Sequence, residues 1–199
     1  HSLELDFQKN NLRINHLPIE LKGKFNFLKN GYSIDLDAKT KTTDFKNLFT
    51  ALPPAFVQWV DKTNVKGKVN LTASVKGDFI KSLNISPSVL LSMNVTDGSF
   101  TTSTIKEPIK NILFSLHFSL PQLNTEKLSV KVDTLHAVMG KDFINAALEL
   151  TNLNAPTIKG FINANANLEQ WNNILELDSI AGVHLKGQCN VQAKFNGKY

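Results

Sequence analysis

The residue types that could do chemistry are sparse in this chain. Five histidines stand at positions 1, 16, 117, 136 and 184, and they show neither metal-ligand spacing nor an acid at a useful offset. His117 falls on the polar side of an alternating run, where a solvated or simply hydrogen-bonded imidazole is expected. Asp35 and Asp37 project from one strand face, and two such acids do not make the facing pair of a glycoside hydrolase. No glycine-rich phosphate loop, Gly-x-Ser-x-Gly elbow or Asp-rich calcium loop is present. Lys-Gly pairs recur, but they open strands rather than helices and so make no P-loop. Cys189 is the single cysteine; no disulfide can close within the chain, and the thiol sits on an apolar strand face as a small hydrophobe. Asn70-Leu-Thr72 and Asn94-Val-Thr96 match the glycosylation pattern, which asparagine-rich sequences meet by chance. These residues predict a non-enzyme with no cofactor and no metal.

What positions the side chains is a short phrase, apolar-Lys-Gly-x-apolar-Asn-apolar, that occurs four times. It reads Leu21-Lys-Gly-Lys-Phe-Asn-Phe27, Val65-Lys-Gly-Lys-Val-Asn-Leu71, Ile158-Lys-Gly-Phe-Ile-Asn-Ala164 and Leu185-Lys-Gly-Gln-Cys-Asn-Val191. Val65–Phe79 and Leu185–Tyr199 align without a gap, with Lys66/Lys186, Gly67/Gly187, Asn70/Asn190, Ala73/Ala193 and Gly77/Gly197 identical. Self-similarity of this kind marks a duplicated supersecondary unit. Counting by twos puts Val65, Val69, Leu71, Ala73 and Val75 on one face and Lys66, Lys68, Asn70 and Thr72 on the other, the period of a half-buried strand. Val191 and Phe195 hold the same apolar positions in the last copy.

Other segments follow suit. Asn30-Gly31 and Asp97-Gly98, each between alternating runs, predict tight hairpins whose turn residues need positive φ. Met139-Gly140-Lys141-Asp142 predicts another turn, and the shifted count at Leu135 and Ala137 predicts a bulge. Phe45, Leu48, Phe49 and Leu52 have helical spacing, with Asp44 placed to cap them and Pro53-Pro54 to stop them; the stripe is narrow and suits packing on a sheet better than lying on a membrane. Phe56, Trp59 and Val60 suggest a further turn or two. Leu168, Trp171, Ile174 and Leu175 repeat the pattern after Asn167. The expected fold is mainly β: an antiparallel curved sheet or open sandwich built from repeated strand units, with two short amphipathic helices. Residues 1–199 read as one β-rich module, with strand-helix-strand units at 21–79 and 158–199 and a meander over 85–151.

Composition narrows the function class. Hydrophobic residues at 42% and charged residues at 20% exclude disorder and allow a sizeable core. The formal charge of +5 is spread along polar strand faces, where lysine guards edges. Aromatics occupy the apolar faces instead of interleaving with lysines, so no nucleic acid is expected as partner. No apolar run reaches the roughly 18 residues of a membrane span. The chain opens in mid-strand rhythm and stops at the end of a repeat, and is expected to be a piece of a longer protein.

The run Leu17-Pro-Ile-Glu-Leu-Lys-Gly-Lys-Phe-Asn-Phe-Leu-Lys-Asn-Gly-Tyr-Ser-Ile-Asp-Leu36, then Thr43-Asp-Phe-Lys-Asn-Leu48, resembles the AsmA-like envelope proteins of Bacteroidota. Val65–Gly77, Pro108-Ile-Lys-Asn-Ile112, Leu135-His-Ala-Val-Met-Gly140 and Phe143 fit the same pattern, and the likeness runs from about Leu17 to Tyr199. The resemblance implies a periplasmic module whose parent is anchored in the inner membrane. It also implies kinship with bridge-like lipid transport proteins and a part in outer-membrane biogenesis. Its partners would be a phospholipid or other envelope lipid and the neighbouring repeats of the parent chain. The family supplies no catalytic motif to carry over. On this expectation Val69, Leu71, Val75, Val191 and Phe195 face lipid, and Lys66 and Lys186 meet headgroups at the rim. The alternatives are a scaffolding β-module with a closed core and an adhesin-type sandwich, the latter disfavoured for want of exposed aromatics or calcium ligands.

Overall fold

The computed structural model describes residues 3–52, 63–102, 107–169 and 186–198. Pro53-Pro54, Phe56, Trp59 and Val60, and Trp171, Ile174 and Leu175 of the expected second helix, lie outside them. The described chain forms one open antiparallel sheet of 11 strands. The strands are β1 (Glu4–Ile14), β2 (Leu17–Leu28), β3 (Gly31–Lys39), β4 (Thr43–Asp44), β5 (Thr63–Phe79), β6 (Ser88–Thr102), β7 (Ile109–Leu120), β8 (Ser129–Met139), β9 (Asp142–Thr151), β10 (Thr157–Asn167) and β11 (Gln188–Lys198). They lie side by side in chain order, except that the two-residue β4 pairs with one end of β5 beyond β3. At about 4.8 Å per strand the sheet is roughly 45 Å wide.

The alternation read from sequence is realised strand by strand. Leu21, Ala38, Ala73, Leu91, Phe118, Val130, Leu150, Ile158 and Gly197 stand opposite one another in one unbroken row. One residue along, Glu20, Lys39, Thr72, Ser92, His117, Lys131, Glu149, Lys159 and Asn196 form the matching row. Because side chains alternate across a strand, one row lies on each face. One face is apolar across nine strands; the other is mainly polar, although Leu90 and, against the expectation that aromatics keep to the apolar face, Phe161 are exposed on it.

The two units read from the sequence share one strand topology. β3 pairs with β5, and β10 with β11, as antiparallel neighbours, yet each pair is joined by a long linker instead of a tight turn. β3 and β10 run in the same direction, so both linkers leave from the same end of the sheet. Among the described residues the first carries one short helix, α1 (Phe45–Thr50), against β5. Asp44 is its N-cap by backbone, but its carboxylate makes no capping bond; it accepts from Lys68 Nζ at 2.7 Å. Asn167 Oδ1 accepts Glu169 N–H at 3.1 Å, as an N-cap side chain does.

Two expected turns need correction. The first hairpin turns through Lys29 and Asn30, with Leu28 paired to Gly31, and neither Asn30 nor Gly31 has positive φ. Gly31 is required instead by proximity, since a Cβ there would sit 2.1 Å from the Phe79 carbonyl oxygen. Asp97-Gly98 is not a hairpin at all. β6 runs through it with a register shift against β5 and β7. Asp97 takes φ 52°, and Gly98 lies so close to Gly67 that a Cβ on Gly67 would be 2.7 Å from its Cα. This is a bulge, which bends and twists a strand without ending it. The bulge expected near Leu135 is present between Val132 and Leu135. Met139 and Asp142 close the expected turn around Gly140, φ 59°.

Burial is uneven along the strands. Of the nine buried apolar residues among those described, Leu17, Val65, Val69, Val95, Ile109, Ala137, Met139 and Ala164 belong to the half of the sheet at the linker end. Leu128 alone lies at the other. Ile109, Ala137 and Met139 form a small core flanked by Phe100, Ile112 and Ile144.

Candidate functional site

Away from the linker end the apolar face is half-covered at best. Phe27, Tyr32, Leu148 and Phe195 are 38%, 40%, 37% and 39% exposed. Phe25, Phe27 and Tyr32 cluster at the turn end of β2 and β3, with centroids 5.1 to 5.7 Å apart. The residues between them and Phe195 (Leu36, Val75, Leu91, Leu116 and Val132 among them) are half-buried. A contiguous apolar surface of this width exceeds what a monomer usually leaves to water.

The residues singled out from sequence divide by position along the strands. Leu71, Val75, Val191 and Phe195 all lie on the half-open apolar face. Val69 shares the face but is fully buried; protein already covers it, and a ligand on the face would not touch it. Lys66 is exposed at the linker end of β5, on the polar face, and Lys186 is exposed just before β11. The two therefore stand at the same end of the sheet. Cys189 is half-buried, in the apolar row beside Ala166.

The polar face is a lattice of paired charges. Lys76 reaches Asp35 and Asp37, both at 3.1 Å. Lys24 reaches Glu4 at 2.9 Å and Asp6 at 3.8 Å, and Lys159 reaches Glu149 at 3.1 Å. The hydrogen bonds that Lys76 donates to Asp35 and Asp37 push its ammonium pKa up from its usual range. Glu20 is 8% exposed and accepts from Lys39 at 3.1 Å, with Lys9 at 3.6 Å. The hydrogen bond from Lys39 holds its carboxyl below the usual range, against the opposing effect of burial. An open trough of about 370 Å³ runs between these rows. Its charges are already matched, so it has no surplus of one sign to attract an ion.

One constellation on this face was invisible in sequence. Ser92 Oγ is 2.9 Å from His117 Nδ1, and His117 Nε2 is 3.2 Å from Asp133 Oδ2. The acid expected to be missing comes from the neighbouring strand, 16 residues away in sequence and therefore at no recognisable offset. Asp133 also pairs with Lys131, whose hydrogen bond is the main cause of its lowered carboxyl pKa, with the His117 charge a lesser one. The order serine-histidine-aspartate is that of an acyl-transfer triad, but a triad also needs N–H donors converging on the oxyanion. Ser92 is in the middle of β6, paired to Thr72 on one side and His117 on the other, so its backbone donors are committed to the ladder. The three side chains make a hydrogen-bonded crosslink over β6, β7 and β8.

Among the described residues no helix is long and apolar enough to cross a membrane. No group of three or more metal-ligating side chains occurs there either. No protein-family model, curated protein or solved structure matches the chain.

Proposed function

We propose that this chain is a non-enzymatic periplasmic module of an AsmA-like envelope protein, and that its apolar face binds acyl chains of envelope lipids. The observation that carries the reading is the unbroken apolar row across nine strands, buried at the linker end and half-open beyond it. Leu71, Val75, Val191 and Phe195 line the path of the chains. Lys66, on the polar face, and Lys186 stand at the linker end of the sheet, beyond the sealed part of the apolar face, and would meet only a headgroup that reaches round that end. Acyl chains suit such a surface because they bury apolar area, worth roughly 25 cal/mol per Å², and demand no polar partner.

The test is native mass spectrometry of the gently purified protein, followed by uptake of a fluorescent phospholipid. Leu71→Asp and Thr72→Asp are adjacent substitutions on opposite faces. Lipid that co-purifies with wild type and Thr72→Asp but is lost from a folded Leu71→Asp supports the proposal. A lipid-free mass with no uptake by the wild type refutes it and favours the scaffolding module, in which the apolar face is met by other protein.

A further inference from the structure

Four turns lie at the end of the sheet away from the linkers: β2 to β3, β5 to β6, β7 to β8 and β9 to β10. All four fall within the described residues. Turns are dominated by glycine, proline, asparagine, aspartate and serine, and no strand period calls for leucine there. Each of these nonetheless exposes one, at the turn or beside it: Leu28 at 38%, Leu83 at 64%, Leu123 at 43% and Leu153 at 52%. Leu83 is the most exposed large apolar residue among those described. Gln122 N–H donates to Ser88 Oγ at 3.0 Å. Leu153 N–H donates to the Thr125 carbonyl at 2.8 Å, and Thr125 Oγ1 to Asn154 Oδ1 at 2.9 Å. These bonds tie three of the turns together. Leu123 takes φ 48°, a conformation that bulky residues rarely adopt, and its side chain still faces outward.

We propose that this end of the sheet docks on the surface of an anionic lipid bilayer, with the leucines in the interface and lysines among the headgroups. The spacing favours a bilayer over a protein. Successive turns are two strands apart, about 10 Å, so the leucines make a line of separate apolar points and not the contiguous patch of a protein interface. A fluid interface takes up such points one by one. The charge agrees. The turns carry Lys29, Lys81 and Lys127 against one acid, Glu126, and neither Lys29 nor Lys81 has an acidic partner among the described residues. Lysines close to an anionic leaflet are drawn to it. Docked in this pose, the protein sets the half-open part of its apolar face next to the bilayer. That consequence rests on the proposed function; the docking itself does not.

Co-sedimentation with phosphatidylcholine vesicles, pure or mixed with phosphatidylglycerol, tests this. The expected result is binding to the mixed vesicles, weaker binding to the pure ones, and release by salt. Lys29→Glu/Lys81→Glu should weaken binding to the mixed vesicles by on the order of tenfold. Leu83→Ser/Leu153→Ser should do the same. Leu83→Phe/Leu153→Phe should bind as the wild type does, a rescue that a folding defect cannot give. Leu113→Ser removes a leucine of similar exposure, 40%, from the body of a strand and should change nothing. A wild type that stays in the supernatant overturns the proposal and leaves the leucines to a protein partner. Binding lost in Leu71→Asp but kept by both turn variants overturns it too, because the sheet would then lie flat on its apolar face. Vesicle binding without uptake of the fluorescent phospholipid would refute the proposed function and leave the docking standing; uptake without vesicle binding would do the reverse.

Discussion

The ring of Phe195 lies against Gly160, its partner across β10 and β11, where a Cβ would come within 3.0 Å of the ring's Cζ and 2.2 Å of the Ala147 carbonyl oxygen. An aromatic side chain over a cross-strand glycine shields the exposed backbone and fills the missing side-chain volume. Phe7 stands opposite Gly23 in register at the other side of the sheet, but there the Asp35 carbonyl takes the room. In three of its four copies, at Gly23, Gly67 and Gly160, the Lys-Gly phrase thus places a glycine where a neighbouring ring or backbone needs the room.

The four glycines of the phrase are accordingly not equivalent to substitution. At Gly23, φ is 125° and an added Cβ would stand 1.8 Å from the Asp35 carbonyl oxygen. At Gly187, φ is 97° with nothing within 4 Å. Gly187→Ala should cost about 1–3 kcal/mol, the scale of a strained φ alone. Gly23→Ala adds a backbone collision and should cost more, and Gly160→Ala should fail by collision although its φ is ordinary. Urea denaturation of the three variants checks the ranking. A Gly187→Ala as damaging as Gly23→Ala would contradict it.

Burial at one end predicts a gradient of mutational cost along the apolar face. Met139 is 2% exposed and packs in the core with Ile109 and Ala137, so Met139→Ala should lose about 2–5 kcal/mol. Leu148, on the same face but 37% exposed, has less area to lose and little cavity to leave. Leu148→Ala should cost about 1 kcal/mol or less. If denaturant melts show equal losses, the half-open part of the face is as closely packed as the core.

Much of this was legible in the sequence because β structure writes its faces with period two. The rows through Leu71 and Phe195 follow from counting alone, as do the bulge at Leu135 and the turn at Gly140. What counting cannot give is distance along the strand. Val69 and Leu71 look alike in sequence, yet one is sealed and the other half-open, because cover at the linker end depends on where the linkers leave. Asp97-Gly98 misled for a related reason. Positive φ at an aspartate-glycine pair serves a turn or a bulge equally, and only the partner strand, with Gly67 opposite, decides which. The Ser92–His117–Asp133 contact was hidden because cross-strand neighbours have no fixed spacing. Asp44 was placed correctly as a cap position but paired with Lys68, whose full charge outcompetes the helix N–H groups.

The charge lattice of the polar face sets the pH range of stability. Glu20 and Asp133 have carboxyl pKa values below their usual range, chiefly through hydrogen bonds from Lys39 and Lys131. A depressed folded-state pKa gives stability that is present above the unfolded value, about 4, and is lost as pH falls through the folded one. Lys24, Lys76 and Lys131 are shifted up, chiefly by the hydrogen bonds they donate to Glu4, Asp35 and Asp133. Their contribution is present below the unfolded value of about 10.4 and is lost as pH rises through the raised one. The melting temperature should therefore be level across neutral pH and fall on both sides, below about pH 4 and above about pH 10. Glu20→Gln should lower the plateau and shallow the acid fall, because the group that must be protonated there is gone. Lys76→Met should do the same on the alkaline side. Added salt should reduce the Lys76 effect more than the Glu20 effect, since Lys76 is 51% exposed and Glu20 only 8%. An acid limb unchanged by Glu20→Gln would show that the Lys39 contact does not hold the carboxylate in the folded protein.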